Sequence, residues 1–91
     1  MPLSIRQSSR FRRDVKRLLR QGAELARLEA VVETLVAQAV LHERYRDHAL
    51  IGNWKGYREC HIEPDWLLIY RIANDELQLV RTGSHAELFG R

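Results

Sequence analysis

Apolar residues recur along this chain with two different periods. Phe11, Val15, Leu18 and Leu19 stand at i, i+4, i+7 and i+8, one stripe of a helix. Ser8 or Ser9 is placed to cap its start, and Gly22 to end it. Leu25, Leu28, Val32, Leu35 and Val36 repeat the helical spacing and predict a second helix from about Glu24 to Val40. Ala26, Ala30, Ala37 and Ala39 widen its apolar surface. From Tyr57 the period is two. Tyr57–Glu63, Trp66–Ile72 and Leu77–Thr82 read as strands, separated by turns at Pro64-Asp65 and Asn74-Asp75. Leu3 and Ile5 alternate in a short strand over residues 3–8. Residues 42–56 fit neither period and read as a loop, with His42, His48, Gly52, Asn53 and Gly56. Ser84 and Glu87 form a capping box for a short terminal turn of helix, which sets His85 and Phe89 on one face.

The order is β-α-α-β-β-β, an α+β architecture. The last three strands make an antiparallel meander, and the two helices pair antiparallel over one face of it. Periodicity does not place the first strand in the sheet. In Tyr57–Glu63, Cys60 and Ile62 share one face, and Glu59, His61 and Glu63 the other. Arg81 has the parity of Leu77 and Leu79, so the facing of the last strand is ambiguous unless a bulge intervenes.

Length allows one hydrophobic core and not two: the chain has 91 residues, 45% of them apolar. The expectation is a single domain over residues 1–91. No apolar run approaches the ~18 residues of a membrane span, and the first residues lack the pattern of a signal peptide. A cytoplasmic protein without membrane association is expected. One cysteine excludes an internal disulfide and a cysteine-rich zinc site.

Charge adds a partner. Of 15 basic residues, 13 are Arg, the side chain best suited to phosphate. Arg6, Arg10, Arg12, Arg13, Lys16, Arg17 and Arg20 oppose only Asp14 over residues 6–20, a net of +6. Such a segment fits a polyanion, or simply a solvated helix face.

The polar residues that stand out lie after position 47: His48, Glu59, His61, Asp65, Arg81 and His85, interleaved with Trp54, Trp66 and Phe89. Histidine exchanges protons near neutral pH. Three readings fit: metal-free acid–base cleavage of a phosphodiester, a metal site from His48, His61, His85 and Asp65, or a binding surface without chemistry. No tight ligand spacing such as HxH or HExxH supports the metal. Taken singly, each residue also has a structural reading. His61 can be a surface histidine, Asp65 a turn residue, Trp54 and Trp66 core, Cys60 buried and inert. Glu59 and Glu63 read as ordinary exposed strand residues unless their face is a groove.

Two longer strings are more specific. Residues 46–70 run Arg-Asp-His-Ala-Leu-Ile-Gly-Asn-Trp-Lys-Gly-Tyr-Arg-Glu-Cys-His-Ile-Glu-Pro-Asp-Trp-Leu-Leu-Ile-Tyr, and residues 81–90 Arg-Thr-Gly-Ser-His-Ala-Glu-Leu-Phe-Gly. Together they resemble the YafQ branch of the RelE/ParE toxin superfamily. The resemblance implies a RelE-like fold and a bacterial type II toxin–antitoxin toxin that cuts mRNA in the ribosomal A site, without a metal or other cofactor. It implies His48, His61, Asp65, His85 and Arg81 as catalytic. His85 serves as general acid, His48 or Asp65 as base, and Arg81 holds the phosphate. Trp66 and Phe89 are implied as base-stacking residues. Glu59 departs from the Asp that the resemblance leads one to expect there, and falls outside the implied set. Arg10, Arg12, Arg13, Lys16, Arg17 and Arg20 would contact ribosomal RNA. The partners are then a cognate antitoxin, the ribosome, and mRNA and rRNA. The alternatives are a non-enzymatic ParE-like toxin that binds DNA gyrase, and an inactive toxin kept as an antitoxin partner.

Overall fold

In a computed structural model, described for residues 1–90, the apolar stripes and the alternating strands close on one core. The elements are β1 (Ser4–Gln7), α1 (Ser9–Arg20), α2 (Leu25–Val36), β2 (His48–Ala49), β3 (Arg58–Glu63), β4 (Trp66–Ala73), β5 (Glu76–Gly83) and α3 (His85–Phe89). Short 3-10 turns at Glu43–Tyr45 and Gly52–Trp54 flank β2. Ser8 caps α1, its side chain accepting from the Phe11 N–H. Ser84 and Glu87 close the expected capping box on α3.

The sheet has the order β1-β5-β4-β3-β2. The β3-β4-β5 meander is antiparallel, as expected. Two features were beyond periodicity. The first strand joins β5 in parallel, at the edge opposite β2, so the two helices carry the chain across the sheet from β1 to β2. The expected loop also contributes a strand: β2 pairs with β3 through His48–Glu59 and Ala49–Arg58. Two residues are too few to show an alternation.

The second helix stops at Val36 and not near Val40. Gln38 adopts a left-handed φ of 58°. Its side chain donates to the Met1 carbonyl, and the Leu3 N–H donates to the Val36 carbonyl, so the start of the chain docks on the helix end.

Phe11 and Leu18 of α1 and Leu28, Val31 and Leu35 of α2 meet Cys60, Ile62, Trp66, Leu68, Tyr70, Leu77 and Leu79 in the core. The opposite sheet face is read from register. Glu59 lies across from Ile69, and Ile69 from Arg81. His61 lies across from Leu67, and Leu67 from Gly83. Directly paired residues share a face. Glu59, His61 and Arg81 therefore stand over Leu67 and Ile69, both fully buried. Arg81 reaches this face through a bulge: Tyr70 pairs with Leu79 but Ile69 with Arg81, which leaves Val80 as the extra residue. The bulge resolves the parity conflict of the last strand.

Candidate active site

Three histidines form a row across the face that the helices leave open. His48 begins β2, His61 is on β3, and His85 is the first residue of α3. The His48 and His61 rings lie 6.2 Å apart between centroids, and His61 and His85 5.8 Å. A carboxylate supports each end. Asp65, in the β3–β4 turn, accepts from the His85 backbone N–H at 2.9 Å and from its Nδ1 at 2.6 Å. Both bonds hold the Asp65 carboxyl below the usual carboxylate range. A carboxylate partner puts the proton on His85 Nδ1 and leaves Nε2 for exchange, on a side chain 44% exposed.

At the other end His48 Nε2 lies 3.4 Å and His61 Nε2 4.0 Å from the same oxygen, Glu59 Oε1. His48 Nδ1 contacts the Arg46 carbonyl at 2.7 Å and so donates there. Nε2, the acceptor nitrogen of that tautomer, then faces the carboxylate. Burial is the main cause that lowers the His61 pKa; His85, His48 and Arg46 push it the same way, against Glu59. His61 Nδ1 is buried without a hydrogen bond.

Arg81 stands two strands from Glu59 in the same row. It is held from behind: Nε and Nη2 fork onto Asp14 of α1, at 2.7 and 3.1 Å. Asp14 also accepts from the Thr82 N–H and from Arg17 Nη1. The two guanidinium bonds and the Thr82 N–H outweigh burial and lower its pKa. Arg17 in turn pairs with Glu87 at 2.7 Å, and Glu87 closes the α3 cap that carries His85. Gly83 has a φ of 153°, which favours glycine, and a Cβ there would displace the ends of the Arg17 and Glu87 side chains.

Of the site residues expected from the sequence, the structure brings His48, His61, Asp65 and His85 into one cluster. Three of the sequence assignments change. Trp66 is 6% exposed and donates its indole N–H to Thr82 Oγ1, so it is a core residue and cannot stack on a base. Phe89 is half-buried beside Trp54, at 6.4 Å between ring centroids. Glu59 is not an exposed strand residue: it is 6% exposed, beneath two histidines. Arg17 is not a free surface charge but is turned into the Asp14–Glu87 network. Arg10, Arg12, Arg13, Lys16 and Arg20 remain on the exposed side of α1.

Sequence reasoning also missed Asp14. Its one signal is a lone acid among seven basic residues, one turn from Phe11 and Leu18 of the apolar stripe. Glu59 shares parity with His61, which was legible, but its burial depends on β2. Cys60 is fully buried, and burial pushes its thiol pKa up to about 12, so it is inert. Among the described residues no group of three His, Cys, Asp or Glu side chains is arranged to hold a metal ion.

Residues 3–90 match the family described as the bacterial toxin of type II toxin-antitoxin system, YafQ. The chain is 40% identical over 87 residues to the mRNA interferase toxin YafQ of Escherichia coli K12, covering 94% of this chain and 95% of that protein. It is similar to a copper-bound mutant toxin from Helicobacter pylori, with a TM-score of 0.92 and 44% identity over 96% of this chain and 99% of that one. The toxin in the E. coli DinJ–YafQ toxin–antitoxin complex superimposes with a TM-score of 0.90 at 38% identity, over 99% of this chain and 100% of that one.

Proposed function

We propose, for a chain that belongs to the YafQ family of type II toxin–antitoxin toxins, that it is an mRNA interferase cutting message in the ribosomal A site. The observation that carries the reading is the His85–Asp65 bond: a histidine with one nitrogen fixed and the other open, at the end of a row of proton-exchanging groups.

The message supplies its own nucleophile, a 2′-OH attacking the adjacent phosphorus in line. The Glu59 end takes the proton of that hydroxyl, on His48 Nε2 or the carboxylate beside it. His85, protonated at Nε2 and oriented by Asp65, donates to the departing 5′-oxygen. Asp65 is thereby a positioning residue and not the base, because both its hydrogen bonds and its lowered pKa commit it to His85. The Arg81 guanidinium, immobilised by Asp14, offers positive charge to the non-bridging oxygens. Phe89 stacks on the splayed base. The products are a 2′,3′-cyclic phosphate and a 5′-OH. Each proton in this scheme passes between the message and a side chain, one taken at the His48–Glu59 end, where Nε2 and Oε1 lie 3.4 Å apart, and one given by His85.

The exposed basic face of α1 contacts ribosomal RNA, and the ribosome orders a message that so shallow a site cannot order alone. An antitoxin is the other partner, as the DinJ–YafQ complex is for its own toxin. No helix is long and apolar enough to cross a membrane, and the substrate assigns the protein to the cytoplasm.

Primer extension on mRNA with purified 70S ribosomes tests this, with wild type and His85→Ala side by side. Site-specific cuts that need ribosomes and disappear in the variant are expected. A folded, growth-arresting wild type that cuts nothing would move the target to gyrase or another protein.

A further inference from the structure

A groove of about 670 Å³ runs from His61, past the open edge of β3, to α2. It exists because β2 is so short. β2 covers β3 only at Arg58 and Glu59, so beyond that point the β3 edge has no strand beside it. Ala26 and Ala30 form the wall on α2, and their small side chains keep the groove wide. Arg44, Tyr45 and Arg46 form the other wall. Its volume falls within the ~300–1,000 Å³ of ordinary small-ligand sites.

The arginines in this wall are placed and unspent. The Arg44 guanidinium lies 4.9 Å from the centre of the Tyr45 ring and donates to the Tyr45 hydroxyl at 2.8 Å. Arg46 takes a left-handed φ of 51°, which turns its carbonyl to His48 while Asp47 turns inward to Arg58 and Tyr70. Neither Arg44 nor Arg46 has a carboxylate partner among the described residues, whereas Arg27 across the groove is shared by Glu24 and Glu63. Arg46 is also close enough to His61 to lower its pKa. The wall is thus a cationic shelf, partly pre-ordered, that begins at the reacting groups.

The geometry points to this groove as the seat of the mRNA nucleotide flanking the scissile phosphate, with Arg44 and Arg46 holding its phosphate and the Ala26–Ala30 wall accommodating its sugar and base. A basic groove with an aromatic edge is the form that single-stranded RNA sites take. Its continuity with His61 favours RNA over a peptide partner. The inference rests on the mRNA-cleavage reading, and it assigns that reaction a specificity-determining surface that touches no reacting atom.

The test is kinetic. Wild type, Arg44→Glu/Arg46→Glu and Arg44→Lys/Arg46→Lys are compared by cleavage on mRNA-programmed 70S ribosomes, by binding to vacant ribosomes and by antitoxin binding, with circular dichroism as a control for folding. The reversal pair is expected to raise KM at least tenfold, with kcat within about twofold and vacant-ribosome and antitoxin binding unchanged. The lysine pair recovers most of the loss. A wild type that cuts while the reversal pair matches it in KM overturns the groove and leaves the parent reading standing. An equal loss on vacant ribosomes makes the shelf an rRNA-binding surface, and weaker antitoxin binding with normal cleavage makes it a protein surface; either overturns the inference. If wild type itself cuts no mRNA, both readings fall.

Discussion

The Asp14 carboxylate holds Arg81 in a fork, with Oδ2 on Nε at 2.7 Å and Oδ1 on Nη2 at 3.1 Å. The pair joins the first helix to the last strand, and the same carboxylate takes the Thr82 N–H and Arg17. It completes the edge of β5 where β1 has ended: Ser8 bonds the Leu79 and Val80 carbonyls, and past them side chains of α1 reach Thr82. One buried acid thus supports the sheet edge and fixes the Arg81 guanidinium.

Asp14→Asn keeps the shape and removes the charge. It leaves Arg81 buried with a weaker partner, a loss of about 3 kcal/mol in urea unfolding. Where the variant is still folded, kcat falls about a hundredfold while ribosome binding is unchanged. Equal kcat for variant and wild type would show that Arg81 needs no such support.

His85→Ala removes the proposed acid and lowers kcat by about 10²–10⁴-fold. Asp65→Asn keeps a hydrogen-bond acceptor for the ring and costs less, about tenfold. End-group analysis of the wild-type products should give a 5′-OH and a cyclic or opened 3′-phosphate. A 3′-OH end would exclude attack by the 2′-oxygen.

The pH behaviour follows from burial of His61, whose folded pKa lies below the ordinary 6.5. The ring is therefore neutral at pH 7. The unfolded chain binds this proton more readily than the folded one. Stability from this group is therefore full above pH 6.5 and falls as pH drops from there toward the folded value. Asp65 and Asp14 have lowered pKa values, so their contributions are lost only at more acid pH, below the usual carboxylate value of 3.8. Urea midpoints measured from pH 8 to pH 3 should decline in those two stages. In His61→Gln the upper stage should be absent.

Trp66→Phe and Phe89→Ala separate core from site. The first loses the bond to Thr82 Oγ1, worth about 1 kcal/mol of stability, and keeps its cleavage rate. The second keeps its stability within about 1 kcal/mol and loses at least tenfold in cleavage. A cleavage defect in Trp66→Phe without instability would return the indole to the substrate.

Reversing Arg10, Arg12, Arg13, Lys16 and Arg20 to Glu in pairs should flatten the salt dependence of ribosome binding, the slope falling by about 1 for each phosphate that is no longer neutralised. Arg17→Glu should behave differently and unfold more readily, because that side chain pairs with Asp14 and Glu87 inside the fold.

The helices, the meander and the α3 cap were legible because each is a local consequence of spacing: 3.6 for α1 and α2, two for β3 to β5, Ser-x-x-Glu for α3. That His48, His61, Asp65 and His85 belong together was an expectation from the strings at residues 46–70 and 81–90, not from any residue singly, and the fold does set them side by side. What the sequence could not show are relations between distant segments. A parallel partner for β1 leaves no mark on either strand. A two-residue β2 carries no alternation, yet its pairing puts His48 over Glu59 and, by ending there, opens the groove beside His61. Whether a Trp stacks on a base or fills the core depends on the face that packing assigns it, and the bulge at Val80 sets Arg81 in register with Ile69, on the face of Glu59 and His61, from which its guanidinium reaches Asp14 at the sheet edge. Spacing along the chain determines local periodicity; only tertiary packing decides which of these periods share a face, because that choice is made by burial across strands far apart in sequence.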